Sequence, residues 1–124
     1  MNRRQLVLVV DTDHEILRMV MHILKLEGYD VIAADDSSSA LALLEEHNPV
    51  LVILDIVIAK RNKFHVLNVI RQRSKIPVII LTGWNEVTSV RKALTLGADD
   101  YIKKPFRAHE LAARVKAKLK PAEP

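Results

Sequence analysis

Short apolar runs alternate with stretches of helical periodicity along the whole chain. Residues 6–10 form an unbroken apolar run that is β-branched at three of its five positions, which is typical of a strand covered on both faces. Similar runs recur, and the pattern predicts strands at 6–10, 29–34, 50–54, 77–81 and 100–103. Apolar residues spaced by three or four positions predict helices that follow them, from 15 to the glycine at 28 and at about 39–47, 64–73, 86–96 and 107–119.

Polar residues and glycines at the helix ends support this division. Asp13 can cap the first helix, and Asp36, Ser37 or Ser38 supplies the cap of the second, while Gly28 stands where a C-cap glycine belongs. Buried strands that alternate with helices imply a parallel sheet with helices on both faces, joined by right-handed crossovers. We therefore predict a doubly wound α/β fold, a three-layer α/β/α sandwich.

Length and composition limit what such a chain can be. Its 124 residues suit one compact domain, predicted to span 1–124, and a content of 49% apolar residues suffices for a buried core. The absence of cysteine excludes disulfides, thiolate metal sites and a cysteine nucleophile. No apolar segment approaches the ~18 to 20 residues of a membrane span or forms a signal-peptide core. We expect a cytoplasmic protein that does not contact a membrane.

Charge is divided unequally between the two halves of the chain. Residues 1–59 hold four basic and ten acidic residues, whereas residues 60–124 hold fifteen basic and five acidic residues. A basic half can bind nucleic acid, but the chain has only five aromatic residues and none alternates with the basic positions as in a base-stacking surface. We expect no direct binding of nucleic acid by this domain.

The candidate chemistry collects where the predicted strands end, which is where open parallel sheets bind ligands. The polar residues at these ends are Asp11, Thr12, Asp13, Asp55, Thr82 and Lys104. Two carboxylates ~4 Å apart repel by about 4 kcal/mol at an effective dielectric of ~20, so a cation is needed to offset their charge. Mg²⁺ suits a site with few protein carboxylates because it also binds phosphate oxygens. Asp55 is then a plausible nucleophile that forms an aspartyl phosphate.

Four of these segments together resemble the receiver domain of bacterial two-component response regulators. They are residues 6–13, 50–55, 78–82 and 97–106, and the resemblance extends over about 5–120. It implies a flavodoxin-like sheet with strand order 2-1-3-4-5, and a phosphoryl group transferred from a histidine kinase or phosphotransfer protein to Asp55. It also implies that the protein is not an enzyme in the usual sense, because it catalyses only its own phosphorylation and dephosphorylation.

The resemblance assigns roles around the phosphoacceptor. Asp11, Asp55 and the main-chain carbonyl of Val57 correspond to the metal ligands, and Lys104 corresponds to the lysine that contacts the phosphoryl group. The bond between Lys104 and Pro105 is commonly cis in this family.

A switch is implied as well. Thr82 corresponds to the hydroxyl that moves toward the phosphoryl group, and Tyr101 to the aromatic residue that follows it. The face formed by the fourth helix, the fifth strand and the fifth helix would then change its preference for an effector domain or a downstream protein. The last helix is rich in basic residues, so an acidic patch on that partner is a further hypothesis.

Three departures from the family pattern bear on activity. The family carries a second metal-binding Asp where this chain has Thr12, so we expect weaker Mg²⁺ binding unless Thr12 or Asp13 contributes a ligand; Asp13 is favoured as a helix cap instead. The loop 59–63 lacks the usual glycines. Val57 and Trp84 occupy positions that modulate hydrolysis, and their apolar side chains predict slow self-dephosphorylation. The alternative to a phosphorylated switch is a pseudo-receiver that binds proteins without phosphorylation.

Overall fold

The strands pair in one parallel sheet, as the sequence pattern predicts. A computed structural model describes residues 4–56, 64–83 and 87–119. The strands are β1 (Leu6–Val10), β2 (Asp30–Ala34), β3 (Leu51–Asp55), β4 (Val78–Thr82) and β5 (Asp100–Lys103). Their order is β2-β1-β3-β4-β5, with every neighbouring pair parallel. The strand order implied by the resemblance is therefore confirmed.

Each strand is followed by a helix. The helices are α1 (His14–Leu26), α2 (Ser37–His47), α3 (His65–Arg73), α4 (Val87–Thr95) and α5 (Ala108–Leu119). Observed and predicted boundaries differ by a residue or two; α2, for instance, begins two residues earlier than predicted because its cap is Asp36. Within the described ranges, none of these helices is long and apolar enough to cross a bilayer.

The core has two halves, one on each side of the sheet. Side chains at alternate strand positions project to opposite faces, so Val7 and Val9 pack with α1 and α5, whereas Leu8 and Val10 pack with α2, α3 and α4. The central strands β3 and β4 are buried at every position, which explains why they read as unbroken apolar runs. The predicted three-layer α/β/α sandwich is confirmed.

The caps show why α1 and α2 begin where they do. Asp13 precedes α1 in an extended conformation and its side chain accepts hydrogen bonds from the backbone of Glu15 and Ile16. Asp36 does the same for α2 by accepting from the Ser39 amide at 2.7 Å, which decides among the three predicted candidates. Gly28 follows α1 with a φ of 95°, as expected for a C-cap glycine.

The Asp36 cap makes a testable contribution to the pH dependence of stability. Hydrogen bonds from Ser39 lower the pKa of Asp36 below its ordinary value of 3.8. Because the folded-state pKa is depressed, the ionised cap stabilises the fold above the unfolded pKa and loses this effect as pH falls through the folded value. We expect Asp36→Asn to lower the urea midpoint at pH 6 and to approach the wild-type midpoint near pH 3. If the difference in urea midpoint between the wild type and Asp36→Asn is the same at both pH values, the charge of Asp36 contributes nothing to stability.

Candidate functional site

Two carboxylates meet at the carboxyl edge of the sheet because of the register between β1 and β3. Val10 pairs with Leu54, so Asp11, the next residue after β1, lies beside Asp55, the last residue of β3. The Asp11 amide continues the ladder by donating to the carbonyl of Ala34 on β2. Asp11 is fully buried and Asp55 is 4% exposed. The fold therefore holds two acidic side chains in its interior at the edge where ligands bind in this architecture.

Lys104 brings a positive charge to both carboxylates. Its Nζ lies 2.7 Å from Asp11 Oδ2 and 3.5 Å from Asp55 Oδ2, and its side chain is 22% exposed. The Lys104 amide donates to the carbonyl of Thr82 at 2.7 Å, which holds the start of the loop after β5 against the end of β4. The bond to Pro105 is cis, as the resemblance implied. The structure thus brings Asp11, Asp55 and Lys104 together.

Among themselves, these three side chains carry more negative than positive charge. Two carboxylates and one ammonium give a net charge of −1, and a buried carboxylate is stable only when it is paired or hydrogen-bonded. Asp11 Oδ1 accepts a hydrogen bond from the Asp13 amide at 3.0 Å. No described donor makes a well-aligned hydrogen bond to the buried Oδ2 of Asp11, so the Lys104 ammonium serves it as a counter-ion through proximity.

Two carboxylates at one edge of the sheet fit the few ligands that Mg²⁺ usually takes from a protein. Among residues 4–56, 64–83 and 87–119, no group of three or more His, Cys, Asp or Glu side chains is placed to hold a metal ion. Mg²⁺ is usually bound by one or two carboxylates together with water and phosphate oxygens. Asp11 and Asp55 supply two carboxylates of this kind.

Asp13 and Thr12 lie beside the site with different roles. The Asp13 Oδ1 atom accepts hydrogen bonds from the amides of Glu15 at 2.9 Å and Ile16 at 3.4 Å, which confirms its predicted function as a helix cap. Thr12 is exposed, whereas its neighbour Asp11 is fully buried. That either residue contributes to metal binding stays a prediction.

The two switch candidates lie on neighbouring strands and on one face of the sheet. Thr82 is the last residue of β4 and is buried, and its hydroxyl donates to the carbonyl of Gly83 at 3.1 Å. Tyr101 pairs with Ile80, and Ile80 and Thr82 share a face because they are two positions apart. The partly buried Tyr101 ring packs against the core on the side of α2, α3 and α4. Thr82 and Tyr101 therefore lie on the same face of the sheet, and their roles in a switch stay predictions.

Several residues with predicted roles lie outside the described part of the chain. They are Val57, Trp84 and the loop 59–63. For Val57, roles were assigned to both the main-chain carbonyl and the side chain. Their roles stay predictions.

Comparison with known proteins agrees with this geometry. The family model described as "Response regulator receiver domain" matches residues 7–116. The chain belongs to the response regulator receiver family. The DNA-binding response regulator MtrA of Mycolicibacterium smegmatis is 40% identical over 117 residues, which cover 94% of this chain and 51% of the relative. The probable transcriptional regulator ycf27 of Galdieria sulphuraria is 39% identical over 120 residues, covering 97% of this chain and 47% of the relative. This receiver domain thus spans about half the length of these curated relatives.

Solved structures show the same relationship in three dimensions. The receiver domain of NtrX from Brucella abortus superposes with a TM-score of 0.87 at 34% identity, covering 94% of this chain and 99% of that one. A CheY-like receiver domain protein from Methanospirillum hungatei JF-1 gives a TM-score of 0.87 at 30% identity and covers 94% of each chain. Receiver domains are modules of two-component signalling, so the coarse functional prediction is confirmed.

One hydrogen bond close to the site involves residues to which the sequence pattern assigned no role. His14 Nε2 lies 2.9 Å from Asp35 Oδ2, and the pair joins the first residue of α1 to the loop after β2. Asp35 follows β2 in the same way as Asp11 follows β1, so the strand-end rule was a usable signal. A single histidine carries no spacing pattern, and its partner became visible only in the folded chain.

Proposed function

We propose that this receiver domain accepts a phosphoryl group on Asp55 from a histidine kinase or a phosphotransfer protein in a Mg²⁺-dependent reaction. The observation that carries the proposal is the buried group of Asp11, Asp55 and Lys104, in which one ammonium lies 2.7 and 3.5 Å from two carboxylates. A purely structural aspartate at a strand end has no need of a second carboxylate and a lysine. In a site for phosphoryl transfer, the second carboxylate can hold the metal ion and the lysine can bind a phosphoryl oxygen.

In the proposed reaction an Asp55 carboxylate oxygen attacks the phosphorus of a phosphohistidine. The new bond to oxygen forms as the bond from phosphorus to the imidazole nitrogen breaks, and the leaving imidazole takes the electron pair and gains a proton. Lys104 holds one charged phosphoryl oxygen, and the Thr82 hydroxyl turns from Gly83 to another. Mg²⁺, held by Asp11 and Asp55, would supply charge neutralisation for the phosphoryl oxygens.

Phosphorylation with a small-molecule donor tests the proposal directly. Incubation with acetyl phosphate and Mg²⁺ is expected to add the mass of one phosphoryl group to the intact protein. Asp55→Asn is expected to abolish the addition, because the amide is not a nucleophile of comparable strength. Asp35→Asn is the matched control, since Asp35 follows a neighbouring strand but pairs with His14. Addition to the Asp55→Asn variant, or no addition to the wild type, would contradict the proposal, and the second result would favour the pseudo-receiver.

The face formed by α4, β5 and α5, which we call the switch face, would transmit the signal. On α4, the side chains of Val87 and Leu94 are exposed apolar residues, and the exposed Arg91 lies between them on the same side of the helix. On β5 and α5, Lys103 and Lys116 are also exposed. This combination suits a partner that offers both apolar and acidic side chains.

The acidic groups near the switch face are already engaged within the chain. Arg114 lies 2.7 Å from Asp100 and 3.7 Å from Glu110, so its positive charge offsets one of these two negative charges. The basic residues of the face therefore dominate its charge. This supports an acidic surface, on an effector domain or a downstream protein, as the proposed partner.

The other functional proposals follow from the same reaction. Apolar side chains at Val57 and Trp84 would slow the attack of water on the phosphorylated Asp55, as the resemblance implies. Because histidine kinases transfer their phosphoryl group inside the cell, we propose the cytoplasm as the location, without direct contact with nucleic acid or membrane by this domain.

A further inference from the structure

The Arg71 side chain donates several hydrogen bonds at the amino edge of the sheet, which is the edge opposite Asp55. Arg71 lies in the last turn of α3, and its side chain is only 20% exposed. Its Nε donates to the carbonyl of Gly97 and its Nη1 to the carbonyl of Ile76, each at 2.7 Å. Its Nη2 donates to Asp99 Oδ2, also at 2.7 Å. One guanidinium therefore joins α3, the loop before β4 and the loop between α4 and β5.

Asp99 extends this set to β4. Its Oδ2 accepts from the Val78 amide at 2.8 Å, and its own amide donates to the Val78 carbonyl at the same distance. The loop that ends α4 is thus attached both to α3 and to the first residue of β4. We call Arg71, Gly97 and Asp99 the Arg71 cluster.

Gly97 is what allows Arg71 to approach. Its φ is 113°, a conformation that side-chain-bearing residues rarely adopt, and a Cβ built on it would lie 2.9 Å from Arg71 Cδ and Nε. Two independent constraints therefore call for glycine at this position. A solvated surface arginine would impose neither of them.

Apart from this cluster, α4 buries few of its side chains. Only Val90 and Ala93 are buried among residues 87–95, while Val87 and Leu94 are exposed. Lys92 Nζ lies 5.2 Å from the centre of the Phe64 ring, an exposed-type contact that contributes little. The end of α4 that leads to β5 is accordingly fixed by hydrogen bonds, whereas most side chains of residues 87–95 are not buried.

The cluster and the phosphoacceptor site lie at the two ends of one strand. Val78 begins β4 and Thr82 ends it, and a strand rises ~3.3 Å per residue, so the two ends are about 13 Å apart. A displacement of β4 that begins at Thr82 is therefore limited at Val78, where the strand is hydrogen-bonded to Asp99. Charge-assisted hydrogen bonds to a guanidinium are among the stronger ones in proteins, so this point resists displacement.

We propose that the Arg71 cluster is a positioning device, which fixes the C-terminal end of α4 and the start of β5 to α3 and β4. A movement of α4 after phosphorylation of Asp55 is then a tilt of the helix about residues 96–99. The link to Asp55 rests on the proposed function, whereas the fixed end of α4 is a property of the metal-free protein. Arg71 acts here through Gly97 and Asp99 and has no contact with the reacting groups.

Hydrogen exchange followed by mass spectrometry tests the fixed end without any ligand. In Arg71→Lys, which keeps the charge but loses the forked geometry, amides of residues 93–99 are expected to exchange about 10- to 100-fold faster. Amides of β1 and β3, which exchange only on global opening, are expected to change much less. Arg73→Lys, on the exposed side of the same helix turn, is the matched control and should match the wild type.

Two further measurements complete the test. If Arg71 only stabilised the fold as a whole, Arg71→Lys would speed amide exchange in β1, in β3 and in residues 93–99 by the same factor. This result would overturn the proposal. Asp99→Asn, which keeps an acceptor for Val78 but weakens the ion pair, provides a milder variant if Arg71→Lys folds poorly, and it should show the same local loosening.

Beryllofluoride with Mg²⁺ then tests the tilt. In the wild type, beryllofluoride is expected to change the amide exchange rates of residues 87–91. In Arg71→Lys, the change should extend to residues 92–99. A change that already reaches residues 96–99 in the wild type would contradict the tilt. A wild-type protein that does not respond to beryllofluoride would contradict the proposed function, while the metal-free comparison would still decide whether the end of α4 is fixed.

Discussion

Lys104→Met is expected to lower the free energy of unfolding by about 3 kcal/mol in metal-free buffer, because it removes the ammonium that lies beside two buried carboxylates. Asp11 is fully buried and Asp55 nearly so, and the ammonium that the variant removes lies 2.7 Å from the first and 3.5 Å from the second. The expected loss is at the low end for buried pairs, since the lysine itself is partly exposed. Urea denaturation in the presence of a chelator measures it.

The same variant tests the two proposed uses of Lys104 separately. Mg²⁺ should stabilise Lys104→Met more than the wild type, because a divalent cation relieves the repulsion that the lysine no longer offsets. The rate of phosphorylation by acetyl phosphate should nevertheless fall about 100-fold, a typical effect of removing one group that stabilises transition-state charge. Lys103→Met, which removes the same charge from an exposed neighbouring position, is the control. Equal stability of the two variants would mean that the carboxylates do not depend on Lys104.

Burial on both faces is what made the sheet predictable. In β3 and β4 every residue is buried, so the sequence shows unbroken apolar runs whose ends coincide with the first polar residue. The same reasoning located Asp11 and Asp55, because parallel strands place their carboxyl ends at one edge. Their pairing with Lys104 follows from this rule and from the need to balance buried charge.

Other features depend on information that periodicity does not contain. Apolar patterns do not reveal which strands are neighbours, so the order of the strands came from the resemblance alone. The choice of Asp36 over two serines depends on a single hydrogen bond, to the Ser39 amide. Arg71 is one of several basic residues near the end of α3, and only the folded chain separates it from the exposed Arg73.

Thr12→Asp is expected to raise the affinity for Mg²⁺ about tenfold, which corresponds to ~1.4 kcal/mol of added attraction. Asp11 and Asp55 together with Lys104 carry a net charge of −1, and a third carboxylate would bring this to −2. An added unit charge ~4 Å from a divalent cation gains between about 2 and 8 kcal/mol at the effective dielectrics of water and of a protein surface, and the loss of hydration on both groups offsets most of this gain. Titration of Mg²⁺ followed by the change in melting temperature measures the affinity.

The physical cost of this gain should appear in the metal-free protein. The new carboxylate would repel Asp11, so Thr12→Asp is expected to be less stable than the wild type in chelator and at least as stable in saturating Mg²⁺. Thr95→Asp, which makes the same substitution at an exposed residue at the far end of α4, controls for a general effect of negative charge. If Thr12→Asp leaves Mg²⁺ affinity unchanged, residue 12 lies too far from the carboxylates to act on the metal. The departure from the family pattern at this position would then have no bearing on metal binding.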